Sequence, residues 1–478
     1  MTRLKLRSRK KCPLLSRHIH IIGMCGKASA PMAAELVRLG FVVTGSDAHL
    51  LPPVSDFLAA HGLNCHKGFK AENITAGLDI VFAGALCRED NPELRRAREL
   101  GIPVSNFARF LGREFLSRSR NAVVAGSFGK TTTTAMLAMI LREAGKNPGW
   151  LVGGECPELP CPVHLRGAGQ WVLEGDEYPS GPDDPSPKFS HYHPELGIVT
   201  SVALVHQNKI PSLAATIDLM ADFVASVRGP SPVFVADDLV VRRRLRPACP
   251  RGRLQTVGFG PTADRRLAPL RPRCGRNAFA LDGVKFELSQ RGKFACTNAA
   301  LAALAAEAWG VPLALSSGIL SRFRGVAGRQ EILVDSPRLS VVYDMGVYPR
   351  SIRRVVEAFV PTDPARRLCI LFQPRHTLGR AADYYRDLAR ALAPADLVLL
   401  ADAANLPAAQ HVFTFAPARL RATLPSRTVL QVVGPALQCF PQWQAVVQPG
   451  DVWLIMTEPL FPEPLAAIRA YIRGHPAA

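Results

Sequence analysis

Acidic residues are scarce in this sequence. Asp and Glu number 39 against 58 Lys and Arg, so the formal net charge of the 478 residues is +19. A surplus of this size fits proteins that bind nucleic acid. However, the basic residues are scattered along the chain, and no zinc-finger spacing, helix-turn-helix or RNP-type aromatic signature accompanies them. The charge is equally compatible with an enzyme that handles polyanionic nucleotides, and we expect no nucleic-acid partner.

Three further patterns are absent. None of the eleven cysteines forms a CxxC pair, and the closest two are Cys156 and Cys161, so the spacing offers no zinc motif and favours a reducing compartment. No apolar run is long enough to span a bilayer. The basic residues 1–17 lack the apolar core of a signal peptide because Pro13 and Ser16 interrupt it. We therefore expect a basic N-terminal arm on a cytoplasmic protein without membrane insertion.

The most informative stretch that is present is VVAGSFGKTTT at residues 123–133, followed by an apolar run. It predicts a strand, a phosphate-binding loop and a helix. Glycines let backbone N–H groups approach a phosphate, and the helix N-terminus adds a partial positive charge. In such a loop Lys130 reaches the outer phosphates and the Thr131 hydroxyl holds Mg²⁺. Val124 stands where the eight-residue pattern needs its first glycine, so this loop begins at Gly126 and is shorter. An ordinary glycine turn before a core helix is the alternative.

Strand and helix patterns alternate along the chain, which predicts α/β units built on parallel sheets. We place three units at residues 18–118, 119–335 and 336–478. Residues 261–276 are rich in Pro, Arg and Gly and therefore predict a loop or linker within the second unit.

The first unit carries a possible nucleotide crevice. A turn with Gly23 and Gly26 follows its first β run, and Asp47 ends the next one, where an acidic group commonly meets a ribose. The two glycines alone are also compatible with a simple turn.

Polar side chains follow two strands of the second unit. Glu174 follows one and His206 the other. Because the carboxyl ends of neighbouring parallel strands meet at one edge of a sheet, these residues and Thr131 are expected to converge on one Mg²⁺. Taken singly, Glu174 is also compatible with a solvated strand-end acid and His206 with a loop histidine.

Longer motifs occur in a characteristic order. They are HIHIIG at 18–23, VTGSDA at 43–48, Asn91-Pro92, GSFGKT at 126–131, EGDEY at 174–178, SPKFSHY at 186–192, Gly325-Val326 with Arg329, and FQPR at 372–375. Together they resemble the Mur ligase family over almost the whole chain. Within that family the likeness is greatest to the muropeptide ligases, the UDP-N-acetylmuramate:L-alanyl-γ-D-glutamyl-meso-diaminopimelate ligases.

The resemblance implies an α/β fold of three domains. These are a parallel-sheet UDP-binding domain, a central P-loop ATPase domain and a C-terminal Rossmann-like domain that binds the acceptor. It also implies a reaction with ATP and Mg²⁺ in peptidoglycan recycling or biosynthesis. The carboxylate of UDP-N-acetylmuramate becomes an acyl phosphate, and the amine of a peptide or amino acid then displaces phosphate. Lys130, Glu174 and His206 would be the catalytic residues.

The resemblance assigns binding residues as well. For ATP they are Gly126, Ser127, Gly129, Lys130, Thr131, Thr132, Asn298, Arg329 and Asp344. For the substrates they are Gly23, Cys25, Gly26, Ser46, Asp47, Asn91 and Arg375. Thr131, Glu174 and His206 would bind the metal.

Several positions depart from the family pattern, and four of them concern the expected metal and adenine contacts. Ala203 and Val205 stand where the family has acids shortly before its metal histidine. Phe294 and Ala295 replace the first two residues of an H-N-x-x-N motif whose first asparagine touches adenine. The alternative to an active ligase is therefore a catalytically impaired homologue that binds a UDP-sugar or a nucleotide.

Overall fold

The computed structural model describes residues 18–26, 28–52, 54–205, 210–249, 252–270, 276–374, 383–401, 415–434, 438–457 and 462–474. Its main sheets have five, ten and six strands and follow one another along the chain. Among the described residues, the helices are too short or too polar to cross a membrane.

The first sheet is entirely parallel, in the order β3-β2-β1-β4-β5. Its order reverses beside β1, so the segment after β1 lies at the switch point where such sheets bind ligands. The elements are β1 (His18–Ile22), α1 (Ser29–Arg38), β2 (Val42–Asp47), α2 (Val54–Ala60), β3 (Asn64–Lys67), β4 (Ile80–Ala83), α3 (Pro92–Glu99), β5 (Val104–Ser105) and α4 (Phe107–Leu111).

The second sheet has the order β17-β16-β15-β14-β13-β12-β6-β9-β7-β8. Its central strands are parallel. The antiparallel pairs lie towards the two edges: β7 pairs with β8, β15 with β16, and β16 with β17. The elements are β6 (Arg120–Ala125), α5 (Lys130–Glu143), β7 (Gly149–Leu151), β8 (Val163–His164), β9 (Gln170–Glu174), β12 (Leu196–Val199), α6 (Leu213–Ser226), β13 (Val233–Ala236), α7 (Leu239–Arg244), β14 (Leu254–Gly258), β15 (Arg265–Pro269), β16 (Asn277–Leu281), β17 (Val284–Leu288), α8 (Lys293–Ala308) and α9 (Leu313–Leu320). A separate hairpin consists of β10 (Pro179–Gly181) and β11 (Asp184–Pro187).

The third sheet has the order β18-β19-β23-β20-β21-β22 and is parallel except for β18. The elements are β18 (Glu331–Asp335), β19 (Leu339–Asp344), α10 (Pro349–Phe359), β20 (Leu368–Phe372), α11 (Tyr384–Leu392), β21 (Leu397–Ala401), α12 (Pro417–Arg421), β22 (Val429–Gly434), α13 (Cys439–Val446), β23 (Asp451–Met456) and α14 (Pro462–Gly474).

The predicted fold class is confirmed, because parallel sheets with covering helices recur three times. Strand β20 is apolar and buried throughout, and β6 and β23 are apolar and buried beyond their polar first residues, as parallel strands between helices must be. The Ala-rich helix α8 packs against α5 over the central sheet. This packing fixes the start of α5, and with it the phosphate loop.

One local prediction was wrong. Residues 261–276 were expected to form a loop, but β15 lies within them. Leu267 is fully buried between more exposed neighbours, which is the pattern of a half-buried strand. The composition obscured the strand because its polar face carries Arg and its end carries Pro.

Candidate functional site

The stretch at 123–133 folds as a strand, a loop and a helix. β6 is buried and ends at Ala125, and α5 begins at Lys130. Gly126 has φ +124°, and a Cβ on it would lie 2.5 Å from Thr200 Oγ1, so the loop requires glycine there. The first N–H groups of α5 have no acceptor within the helix. Since residues 127–132 line a cleft, these N–H groups are suited to bind an anion.

The segment after β12 holds this loop in place through hydrogen bonds. Ser127 Oγ donates to Ala203 O and accepts from Ala203 N–H, both at 2.8 Å. Phe128 N–H donates to Ser201 Oγ at 2.8 Å, and Thr200 Oγ1 donates to Phe128 O at 2.7 Å. Ala203 therefore positions the loop through its backbone, a role that does not need the acid of the family pattern.

Lys130 lies buried at the start of α5 with its ammonium group among carboxylates. Its Nζ donates to Glu177 Oε2 and to Gly126 O, each at 2.7 Å. Burial works to lower the pKa of Lys130, but the negative charges of Glu177, Asp176 and Glu174 outweigh it and raise the pKa. The group is therefore a permanent cation at the phosphate loop.

Glu174 and Thr131 are brought together as predicted for a metal site. Thr131 Oγ1 donates to Glu174 Oε1 at 2.8 Å, and Gly153 N–H donates to Glu174 Oε2 at 2.7 Å. Burial, followed by the charge of Asp176, raises the pKa of Glu174 despite the nearby Lys130. His206, the third predicted ligand, lies outside the described residues.

Three charged residues that the sequence analysis did not assign complete this region, namely Asp176, Glu177 and Lys188. Lys188 Nζ donates to Asp176 Oδ2 at 2.7 Å, and Tyr178 OH donates to the same oxygen at 2.9 Å. Although burial opposes it, Lys188 and then Lys130 lower the pKa of Asp176. The sequence signal that could have identified these residues is the pair of motifs EGDEY and SPKFSHY, which contain them and which resemble motifs of the family.

The formal charge of this largely buried cluster is negative. Three carboxylates, of Glu174, Asp176 and Glu177, face two ammonium groups, of Lys130 and Lys188. Hydroxyl and carboxylate oxygens are the ligands that Mg²⁺ prefers. The donor set of Thr131 and Glu174 therefore fits a divalent cation beside the phosphate loop.

A cleft of about 1200 Å³ separates this loop from the third sheet. Asn298, Arg329 and Asp344 all line it, as do Phe294 and Ala295. The predicted ATP-binding residues therefore line the same cleft as the phosphate loop, although they come from separate parts of the sequence. Phe294 also packs against the core of the C-terminal unit, which accounts for an aromatic residue at a position where the family has a polar one.

Asn298 and Asp344 both lie against the backbone of the cleft wall. A Cβ on Gly129, whose φ is +89°, would lie 2.8 Å from Asn298 Oδ1, so the amide presses directly on the loop. Asp344 accepts from Gln330 N–H at 2.9 Å and from Gly346 N–H at 2.7 Å. Burial raises the pKa of Asp344, against the opposing charge of Arg329.

The third unit touches the loop region directly. The rings of Phe128 and Tyr348 lie edge to face with centroids 6.1 Å apart. Arg350, at the start of α10, donates to Val202 O at 3.1 Å and lies 3.6 Å from Asp238. The two sides of the cleft are thus in contact in this structure.

The predicted substrate residues of the first unit fall into two groups. Gly23, with φ +81°, and Cys25 lie in the turn after β1, where Cys25 N–H donates to Asp47 Oδ2 at 2.9 Å. Gly26 closes the same turn, its N–H donating to Gly23 O at 3.3 Å. These residues lie at the switch point of the sheet. Ser46 is different, because its buried hydroxyl donates to Glu93 Oε2 at 2.5 Å.

Asn91 also has a structural contact. Its Oδ1 accepts from the N–H groups of Glu93 and Leu94 and so caps α3. Arg375 lies outside the described residues.

Comparison with known proteins places this site in a family. The model for "Mur ligase family, catalytic domain" matches residues 18–118, and the model for "Mur ligase middle domain" matches residues 124–306. A UDP-N-acetylmuramate–L-alanine ligase of Streptomyces coelicolor is 33% identical over 389 residues, which cover 80% of this chain and 82% of that protein. A UDP-N-acetylmuramate–L-alanine ligase of Halorhodospira halophila is 33% identical over 399 residues, covering 81% and 79%.

Solved structures agree on the fold. A UDP-N-acetylmuramate-alanine ligase of Thermotoga maritima has a TM-score of 0.74 at 21% identity, covering 96% of this chain and 99% of that one. A murein peptide ligase of Psychrobacter arcticus has a TM-score of 0.69 at 23% identity, covering 95% and 99%.

The fold and the loop define a multi-domain α/β protein whose central domain carries a glycine loop at the start of a buried helix. The chain belongs to the Mur ligase family, whose members are ATP-dependent ligases. The predicted family is thereby confirmed.

Proposed function

We propose that this protein is an ATP-dependent ligase that joins the carboxylate of UDP-N-acetylmuramate to an amine. The observation that carries the proposal is the cluster of Lys130, Thr131 and Glu174 at one phosphate loop. The names of the curated relatives supply the acid substrate.

The residues of this chain suit the first chemical step. Lys130 would leave Glu177 and neutralise charge that develops on the transferring phosphoryl group. The N–H groups at the start of α5 would hold the phosphates. A bound Mg²⁺, held by Thr131 and Glu174 with His206 as the further proposed ligand, would supply additional charge neutralisation.

The second step needs a dry site, because water would hydrolyse the acyl phosphate. The edge-to-face contact of Phe128 with Tyr348 and the bond from Arg350 to Val202 bring the third unit over the loop. We propose that these contacts help to exclude water while the amine attacks and phosphate departs.

Two acceptors have support. The names of the curated relatives favour L-alanine. The SPKFSHY segment, with Lys188 bound to Asp176, resembles the muropeptide branch and favours L-alanyl-γ-D-glutamyl-meso-diaminopimelate. In both cases the product is an amide on UDP-N-acetylmuramate for peptidoglycan synthesis or recycling.

A homologue that binds UDP-sugar or nucleotide without turnover is the second candidate. The short side chain of Ala295 in the cleft wall favours it, because the family asparagine is absent there. Phosphate release in the presence of UDP-N-acetylmuramate, ATP and Mg²⁺, measured separately with each acceptor, tests both candidates. We expect release that depends on one acceptor; nucleotide binding without release under any acceptor would support the impaired homologue.

A further inference from the structure

A second cluster of ligand-type side chains lies away from the phosphate loop. Glu35 belongs to α1 of the first unit, whereas His164 ends β8 at the edge of the central sheet and Cys161 lies two residues before that strand. One ligand atom from each of the three lies within 4.8 Å of the other two. The cluster therefore joins two units that are far apart in sequence.

The Glu35 carboxylate is oriented by contacts on both oxygens. It is 1% exposed, Oε1 accepts from Arg38 Nη1 at 2.8 Å, and Oε2 accepts from Leu165 N–H at 2.9 Å. Oε2 lies 3.6 Å from His164 Nδ1, which is beyond hydrogen-bond range. Nitrogen and oxygen ligands of one tetrahedral Zn²⁺ lie about 3.4 Å apart, given bonds of about 2.1 Å. The observed separation is close to that value.

Trp150 orients the other two ligands. Its ring stacks on His164 with centroids 4.5 Å apart, and its Nε1–H donates to Cys161 O at 2.9 Å. Pro160 and Pro162 restrict the backbone on either side of the cysteine. Fixed ligand orientation of this kind is typical of metal sites.

We propose that Glu35, Cys161 and His164 bind a borderline-soft divalent cation of the Zn²⁺ class. Thiolate, imidazole and carboxylate are together the donor set of zinc. On binding, the Cys161 thiol, which donates to Val163 O at 2.9 Å, loses its proton to solvent as the metal–sulfur bond forms. Cys161 and His164 are partly exposed, so water can occupy a fourth position. The ion would tie the first unit to the central sheet.

The site is chemically distinct from the phosphate-loop site, where Thr131 and Glu174 offer oxygen ligands. A sulfur-dependent signal therefore separates the two. The inference does not rest on the proposed ligase activity, since it concerns metal binding and stability.

The test is titration of the chelator-treated, reduced full chain with Co²⁺ alone. We expect a near-ultraviolet sulfur-to-cobalt charge-transfer band that saturates at one equivalent and is displaced by Zn²⁺. Cys161→Ser should abolish the band, whereas Cys87→Ser, at another half-buried cysteine, should keep it. His164→Gln should keep the band but weaken Co²⁺ binding at least about tenfold.

Thermal unfolding provides a second readout that also reports whether each variant folds. Zn²⁺ should raise the Tm of the wild type and of Cys87→Ser but leave that of Cys161→Ser unchanged. The proposal is overturned if the wild type shows no sulfur-to-cobalt band, or if Cys161→Ser shows the same band with the same affinity.

Discussion

Gly153 packs directly against the Glu174 carboxylate of the candidate metal site. A Cβ on this residue would lie 2.6 Å from Glu174 Oε2 and 3.0 Å from its carboxyl carbon. The same oxygen accepts the Gly153 N–H at 2.7 Å, and Thr131 bonds the other oxygen at 2.8 Å. Gly153→Ala therefore cannot be accommodated unless the Glu174 carboxylate moves.

The size of the movement sets the expected effect. Ordinary contact begins at 3.4 Å, so the carboxylate must retreat by 3.4 − 2.6 = 0.8 Å. Misplacement of a catalytic group by about 1 Å can reduce the rate about 10²-fold, which corresponds to roughly 2.7 kcal/mol of transition-state stabilisation. Loss of one hydrogen bond costs about 1 kcal/mol of folding stability, so the variant should still fold.

The assay is ATP-dependent phosphate release at a series of Mg²⁺ concentrations. We expect a kcat/KM about 10²-fold below wild type, with partial recovery at high Mg²⁺. Gly84→Ala is the matched control, because a Cβ at Gly84 meets nothing within 4 Å. Wild-type kcat/KM in Gly153→Ala, at ordinary Mg²⁺, would refute the assignment of Glu174.

Two further predictions concern the cleft and the junction of the first two units. Ala295→Asn should raise the ratio of kcat/KM for ATP over GTP, about fivefold for one added hydrogen bond; a wild type that already strongly prefers ATP would contradict this. Asp184 is buried, and although burial opposes it, bonds from Ser186 and Asn106 and the charges of His191 and Arg109 hold its pKa at about 2. Because this pKa lies below the ordinary 3.8, its stabilisation is present above pH 4 and is lost as the pH falls towards 2. The stability of Asp184→Asn should therefore fall less steeply with decreasing pH than that of wild type over this range. Equal slopes would show that Asp184 does not contribute to acid unfolding.

The phosphate loop was predictable because its signal is local. Strand, glycines, Lys130 and helix are contiguous, and Glu174 is the last residue of a strand that the topology places beside the loop strand. The fold class was predictable for the same reason, since each parallel strand is a short apolar run.

Contacts between distant segments could not be read from the sequence. Glu35 meets His164 only because α1 packs on β8. Ser46 and Asn91 lie in segments typical of substrate binding, yet their side chains bond Glu93 and the start of α3. Tertiary packing decides which polar side chains face the crevice. The local sequence pattern does not predict that packing. Their substrate roles stay predictions.

We expect Lys130 to act directly on the phosphates of ATP. Phosphate release should be compared between wild type, Lys130→Met and Lys146→Met, the last lying just beyond the opposite end of α5. We predict a kcat at least about 10²-fold lower for Lys130→Met alone, with the variant shown to be folded by thermal unfolding. Equal turnover in all three proteins would contradict the account.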